Sequence, residues 1–268
     1  MQKIATTFIF ILLSGATASA QELPYSVCTG CWNPDTLGNQ RVVVRCPPVA
    51  ANRLAEVEIA WRRHDDHPER KRIIVQDSAT GKRIRNVRVV TVTKERGDIY
   101  FEPASGKGTY YIYYQPYRNE GRSNYPKGVY WKPDSTASEA WLKIVGKNGA
   151  RFGSPGRDNV GPTRADAIGI QSIDSFNDIY PMEVAATSDE VATLKAKYAD
   201  KPFLLFPENR NYPIRMPDML PYRWIVGGPG SRLVDTALEP GEYYAYQLGI
   251  YALKPLTNAK VLFGPLQN

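Results

Sequence analysis

The residues whose type and spacing could do chemistry begin with three cysteines, Cys28, Cys31 and Cys46. The Cys28-Thr29-Gly30-Cys31 spacing suits thiol–disulfide exchange or half of a zinc site. A redox pair of this spacing opens a helix in a βαβ unit, whereas this one precedes a strand. A structural zinc needs four donors, and the nearest histidine to Cys46 is His64. A structural disulfide or inert thiols are therefore expected. The odd count leaves one sulfur free or bonded between chains, and the pairing stays open.

Acids and histidines offer less. Asp189-Glu190 is an adjacent acidic pair, but Thr187 and Glu190 form a capping-box pattern, and acids suit a first helical turn. His64-Asp65-Asp66-His67 carries metal-ligand types, yet four consecutive residues converge only in a sharply folded loop. With Pro68 and charges around it, the segment reads as a surface turn, and no metal is expected. Gly153-Ser154-Pro155-Gly156 lacks the nucleophile-elbow pattern, and Gly227-Gly228-Pro229-Gly230 lacks the Lys-Ser/Thr that holds phosphate. Both read as turns, and no cofactor is expected.

Aromatic residues carry the remaining functional signal. Trp131, Trp141 and Trp224 lie in a loop-rich middle, with Tyr117, Tyr222, Arg223 and Asn211 as polar companions. Such rings can cover the apolar face of a pyranose while polar tips bond its hydroxyls. They serve cores equally well. Trp131, Trp141, Trp224, Tyr222 and Arg223 are the expected carbohydrate contacts, whereas Trp61 and the run from Tyr110 to Tyr114 read as core.

The elements that must position these groups are mostly strands. Residues 40–46 are Val-rich, and Ala55, Val57, Ile59 and Trp61 share one face by alternation. Residues 72–77 form a strand that turns at 78–82 around Gly81. Along 84–93 the apolar parity switches from Val87 and Val89 to Val90 and Val92, which predicts a bulge. Strands follow at 98–102 and 108–115, the latter covered on both faces. Helices are expected after Thr136 and Thr187, with a third turn over 174–180. Strands close the chain at 241–252 and 259–263. Strands first, loops and helices between, strands last favour a mainly β chain: an antiparallel β-sandwich with long loops and two or three short helices.

Composition narrows the setting. The 268 residues carry a formal charge of +7, but the charges are scattered, and Arg70-Lys71-Arg72 lies beside Asp65, Asp66 and Glu69. No nucleic-acid role is expected. Residues 1–20 read as a signal peptide: Lys3, an apolar centre from Phe8 to Leu13, and Ala18-Ser19-Ala20. That apolar stretch falls short of the about 20 residues of a membrane span. Export to the periplasm or medium follows, with no transmembrane segment. Residues 21–39 then form an N-terminal segment with the CxxC, and 40–268 one β domain.

Several segments are similar to one known family. Trp61-Arg62-Arg63-His64-Asp65, Thr80-Gly81-Lys82-Arg83-Ile84, Phe101-Glu102-Pro103 and Gly108-Thr109-Tyr110-Tyr111-Ile112-Tyr113-Tyr114 resemble the N-terminal domain of glycoside hydrolase family 123. So do Ala140-Trp141-Leu142, Ile170-Gln171-Ser172, Tyr180-Pro181-Met182-Glu183, Leu205-Phe206-Pro207-Glu208, Arg223-Trp224 and Gly241-Glu242-Tyr243-Tyr244. Together they cover most of residues 40–263. The resemblance implies a β-sandwich followed, in the full enzyme, by a (β/α) barrel. That barrel carries an Asp-Glu pair and releases N-acetylgalactosamine with the substrate's acetamido group as nucleophile. Such a barrel takes about 250 residues, and nothing in this sequence alternates strand and helix that way. No catalytic residue is carried over. The expectation is a non-catalytic accessory module of a β-N-acetylgalactosaminidase-like system, such as a truncated relative of the full enzyme, with a glycan or a glycoside hydrolase catalytic domain as partner. The alternative is a stand-alone exported carbohydrate-binding protein.

Overall fold

Runs rich in β-branched and aromatic residues, such as 40–46, 73–75 and 109–114, set much of the first half of the chain in strands. The computed structural model describes residues 23–49, 54–65, 67–114, 117–122, 125–148, 161–230, 239–262 and 264. The expected signal peptide, Asp66 and the turn at 153–156 lie outside these. Among the described residues the elements are β1 (Tyr25–Val27), α1 (Pro34–Leu37), β2 (Gln40–Cys46), β3 (Ala55–Ile59), β4 (Ile74–Asp77) and β5 (Arg83–Ile84). They continue with β6 (Val87–Val92), β7 (Gly97–Phe101), β8 (Gly108–Tyr113), β9 (Tyr117–Arg122), β10 (Tyr125–Tyr130), α2 (Glu139–Asn148) and β11 (Thr163–Ser172). The last are α3 (Ser188–Lys197), β12 (Phe203–Glu208), α4 (Tyr222–Gly227) and β13 (Gln247–Ala252).

Nine strands form one sheet in the order β5-β4-β8-β2-β11-β3-β7-β6, with β1 added beside β11. Most pairings are antiparallel, but β11 runs parallel to β3 and to β1, so the sheet is mixed. Its two end strands, β5 and β6, are separated in the chain only by Arg85 and Asn86, so the ends are brought together. The chain is mostly strands, as expected, and the strands form one large mixed sheet that is nearly barrel-shaped.

Alternation decides what the sheet encloses. Val42 and Val44 of β2, Val57 and Ile59 of β3, Val75 of β4, Ile99 of β7 and Ile112 of β8 are fully buried in one core. Trp61 closes one side by stacking on Tyr114, with ring centroids 4.8 Å apart. Gly97 admits that indole, since a Cβ there would lie 2.3 Å from the ring. The predicted parity switch appears as a register shift between Val89 and Thr91 against β7. The turn after β4 holds Gly81 at φ +67°, a conformation that suits glycine.

A second, smaller cluster gathers Met182, Ala186, Leu194, Leu204, Phe206, Leu220 and Trp224 from α3, α4, the two-stranded β12–β13 sheet and the segments between them. Two cross-links fasten it to the large sheet. The Ala185 N–H donates to the carbonyl of Arg62, in the segment after β3, at 2.9 Å, and the Arg62 side chain forms an ion pair with Glu190 at 2.7 Å. The capping box of Thr187 and Glu190 is present at the start of α3. At α2 the expected Thr136 cap differs: Ser138 Oγ accepts from the Trp141 N–H, while Thr136 donates to the Arg85 carbonyl. The strand foreseen over 241–252 starts only at Gln247. Residues 259–262 form no strand, and the helical turn foreseen over 174–180 is a bend and a short turn at 176–177, followed by a 3-10 helix at Pro181–Glu183.

Candidate functional site

The predicted aromatic contacts separate into three places. Trp141 lies on α2 in a small core with Leu54, Tyr100 and Val145, and is 4% exposed. Its indole nitrogen is buried without a hydrogen-bond partner among the described residues. Trp131 follows β10 and is 42% exposed, with the Arg72 guanidinium 5.7 Å from its ring centroid. Tyr222, Arg223 and Trp224 are brought together because they are consecutive on α4. Asn211 is exposed in the loop after β12, and the side chain of Tyr117 lies outside the described set.

α4 is held at both ends by backbone. The Tyr222 N–H donates to the Val184 carbonyl at 2.7 Å, and Gly228 at φ +66° closes the helix onto the Trp224 carbonyl. Tyr222 faces the sheet core beneath the Arg62 guanidinium, 4.1 Å from its ring centroid. Trp224 turns to the smaller cluster, stacking on Phe206 with centroids 4.3 Å apart and planes within 2°. Its Nε1–H donates to Glu208 Oε1 at 2.9 Å, and Arg223 Nε donates to the same oxygen at 3.3 Å. Gly249 on β13 makes room, because a Cβ there would sit 2.3 Å from the Trp224 ring.

Trp224 thereby becomes one wall of a cleft of about 570 Å³, with Val191 of α3 and Leu248, Ile250 and Tyr251 of β13 around it. Leu248 and Ile250 are exposed, as is Val226 on α4. The rim carries Lys195, Asp218 and Glu95, and the Glu95 carboxylate already accepts from the Ser188 N–H at 2.7 Å. The walls suit an apolar or aromatic group; the described lining includes no histidine or cysteine that could move a proton.

A second, open basin of about 660 Å³ lies on the outer face of the large sheet. Trp32, Arg41, Gln76, Ser78 and Gln171 line it and were not among the expected contacts, and Tyr111, expected as core, is half-buried on this outer face because alternation in β8 turns it away from Tyr110 and Ile112. The Cys28–Cys31 disulfide borders it, which resolves the pairing, and Cys46 remains a buried thiol.

Several of the described acids hold structural posts. Burial pushes Glu190 up, but hydrogen bonds from Arg62 and the Thr187 amide bring its carboxyl below the usual range. Asp77 is likewise held down, by Ser105 and turn amides that outweigh its burial. Asp134 is lowered by its hydrogen bond from Arg83. Glu56 is held above the usual range by burial, with Asp98 and Glu58 adding like charge and Arg164 opposing. It sits on β3 and lines neither cavity. Asp65 binds Lys71, and no cluster of three or more metal-ligand side chains occurs among the described residues.

Residues 30–173 match the family model described as glycoside hydrolase 123, N-terminal domain. The matched stretch ends one residue past β11 and takes in every strand of the large sheet except β1. No curated protein and no solved structure matches the chain.

Proposed function

The chain belongs to the glycoside hydrolase 123 N-terminal domain family, and from that premise we propose that it is a non-catalytic accessory module of a β-N-acetylgalactosaminidase-like system. The observation that carries this reading is the coincidence of the family match with the large sheet, every strand of which except β1 lies within residues 30–173. The carboxylates support it. Retaining hydrolysis wants an acid of raised pKa near a second carboxylate, about 5–5.5 Å away when that group is protein-borne, and both must face a substrate cleft. Glu56 is raised by burial with Asp98 and Glu58 nearby, but it lines neither cavity. Glu190, the tempting member of the Asp189-Glu190 pair, is instead an ionised partner of Arg62 and a helix cap.

The catalytic domain of such a system is the proposed partner, and the apolar cleft at Trp224 with exposed Leu248, Ile250 and Val226 is the face it covers. Residues 1–20 direct export, and 40–268 act as one module. The purified chain is expected to show no release of nitrophenol from nitrophenyl N-acetyl-β-galactosaminide above the buffer rate. Turnover at an enzyme-like rate overturns the proposal. The second reading, a carbohydrate-binding protein, is favoured by a different observation, the outer-face basin beside the disulfide.

A further inference from the structure

The outer-face basin is built by register. Along the sheet, Gln76 of β4 stands opposite Tyr111 of β8, Tyr111 opposite Val43 of β2, and Arg41 of β2 opposite Gln171 of β11. These residues alternate with core positions such as Val42, Val75, Ile112 and Ile170, so all project from the same outer side. The loop of the Cys28–Cys31 bridge then lays Trp32 over the row. The Arg41 guanidinium lies 4.4 Å from the Trp32 ring centroid and 3.6 Å from that of Tyr111.

Arg41 is unusual in its company. It is 5% exposed, yet its partners among the described residues are neutral: Gln171 Oε1 accepts from Nε at 2.9 Å and the Tyr113 hydroxyl from Nη1 at 3.3 Å. Nη2 reaches only the Cys28 sulfur at 3.9 Å. Buried charges are ordinarily paired. Arg41 is also the one ionised side chain in the described lining. Asp77, between Gln76 and Ser78, alternates away and accepts from Ser105 and the Ala79 and Thr80 amides. A guanidinium offers five donors in a fork that fits an oxyanion. Around it, Gln171, Asn33 and Ser78 supply amide and hydroxyl groups, and Trp32 supplies a half-buried ring.

We propose that this basin is a binding subsite for a sugar unit bearing an oxyanion, either a carboxylate or a sulfate ester. The anion pairs with Arg41, and the ring hydroxyls take the neighbouring amides and Ser78. The inference rests on the carbohydrate-binding reading and adds the charge of the ligand and the place where it binds.

The test is a tryptophan-fluorescence and calorimetric titration of the full chain with four probes: a galacturonate oligosaccharide, galactose 6-sulfate, and neutral galactose and N-acetylgalactosamine. At least one anionic probe is expected to bind at least about tenfold tighter than the neutral ones, the scale of a charge-assisted pair. The carboxylate and sulfate arms identify which anion is taken. Arg41→Met is expected to remove that preference. Because Arg41 is buried, Ser78→Trp serves as a second variant that fills the basin without touching the guanidinium, and it is expected to abolish binding with the melting temperature kept. Equal binding of neutral probes overturns the charge assignment while leaving carbohydrate binding in place. Absence of binding by all four overturns both.

Discussion

Replacing Glu190 by alanine tests how the smaller cluster is fastened to the sheet. Arg62 is 1% exposed and receives both carboxylate oxygens of Glu190, at 2.7 and 2.8 Å. Its other contacts are the Ala185 carbonyl at 3.4 Å and the Tyr222 ring. Removing one partner of a buried pair costs about 3–5 kcal/mol. Glu190 is 22% exposed, so solvent screens part of this and roughly 2–3 kcal/mol remains. Loss of the capping box adds about 1 kcal/mol. A total of about 3–4 kcal/mol lowers the melting temperature by roughly 6–16 °C for a chain of this size. Thr187→Ala removes only the cap, so a shift of about 2–4 °C is expected.

Acid distinguishes the ion pair from the cap. The Glu190 carboxyl is depressed in the folded chain, below its usual value of 4.5. Its contribution is therefore fully present above pH 4.5 and is lost as pH falls through the lower, folded value. Differential scanning calorimetry from pH 7 downward should show the gap between wild type and Glu190→Ala narrowing below about pH 4.5. A variant melting within about 2 °C of wild type at pH 7 refutes the coupling, as does a gap that ignores acid.

Two further outcomes are expected. Burial pushes the Cys46 thiol up to about 11, so an aromatic disulfide reagent at pH 8 should leave it unmodified until denaturant is added; prompt labelling of the folded chain would contradict its burial. Gly249→Ala places a Cβ against the Trp224 ring, and overpacking of this kind costs about 1–3 kcal/mol, read as a lower melting temperature with altered near-ultraviolet dichroism; an unchanged melt would mean that the indole can move aside.

Local pattern explains why much of the fold was legible in the sequence. The alternation in β3 needs only neighbouring residues, and so do the parity switch at Val89 and the Thr187–Glu190 box. What failed needed a partner. The Ala259-Val261 alternation mimics a strand, but no neighbour pairs with it among the described residues, and Val261 is 59% exposed. Residues 241–246 carry strand-forming tyrosines, yet Tyr243 is 97% exposed and pairing with β12 begins at Gln247. Thr136 and Ser138 offer the same hydroxyl chemistry two residues apart, and only the path of the chain past Arg85 decides which one caps α2.

Aromatic type could not by itself separate wall from core. Trp141 and Trp224 look alike in sequence, but Trp224 meets a cleft because Gly249, 25 residues further on, has no side chain to push it away. The outer-face basin is harder still to read, since Arg41 and Gln171 are 130 residues apart and become neighbours only through the β2–β11 register. An arginine in a Val-rich strand looks in sequence like a solvated interruption. In the folded chain it is covered by Trp32 and Tyr111, and its side-chain acceptors among the described residues are neutral. Because strand residues alternate, such a position points away from Val42 and Ile112 and takes no part in packing the core. The chemistry that distinguishes this chain is therefore to be sought on the outer face of the sheet.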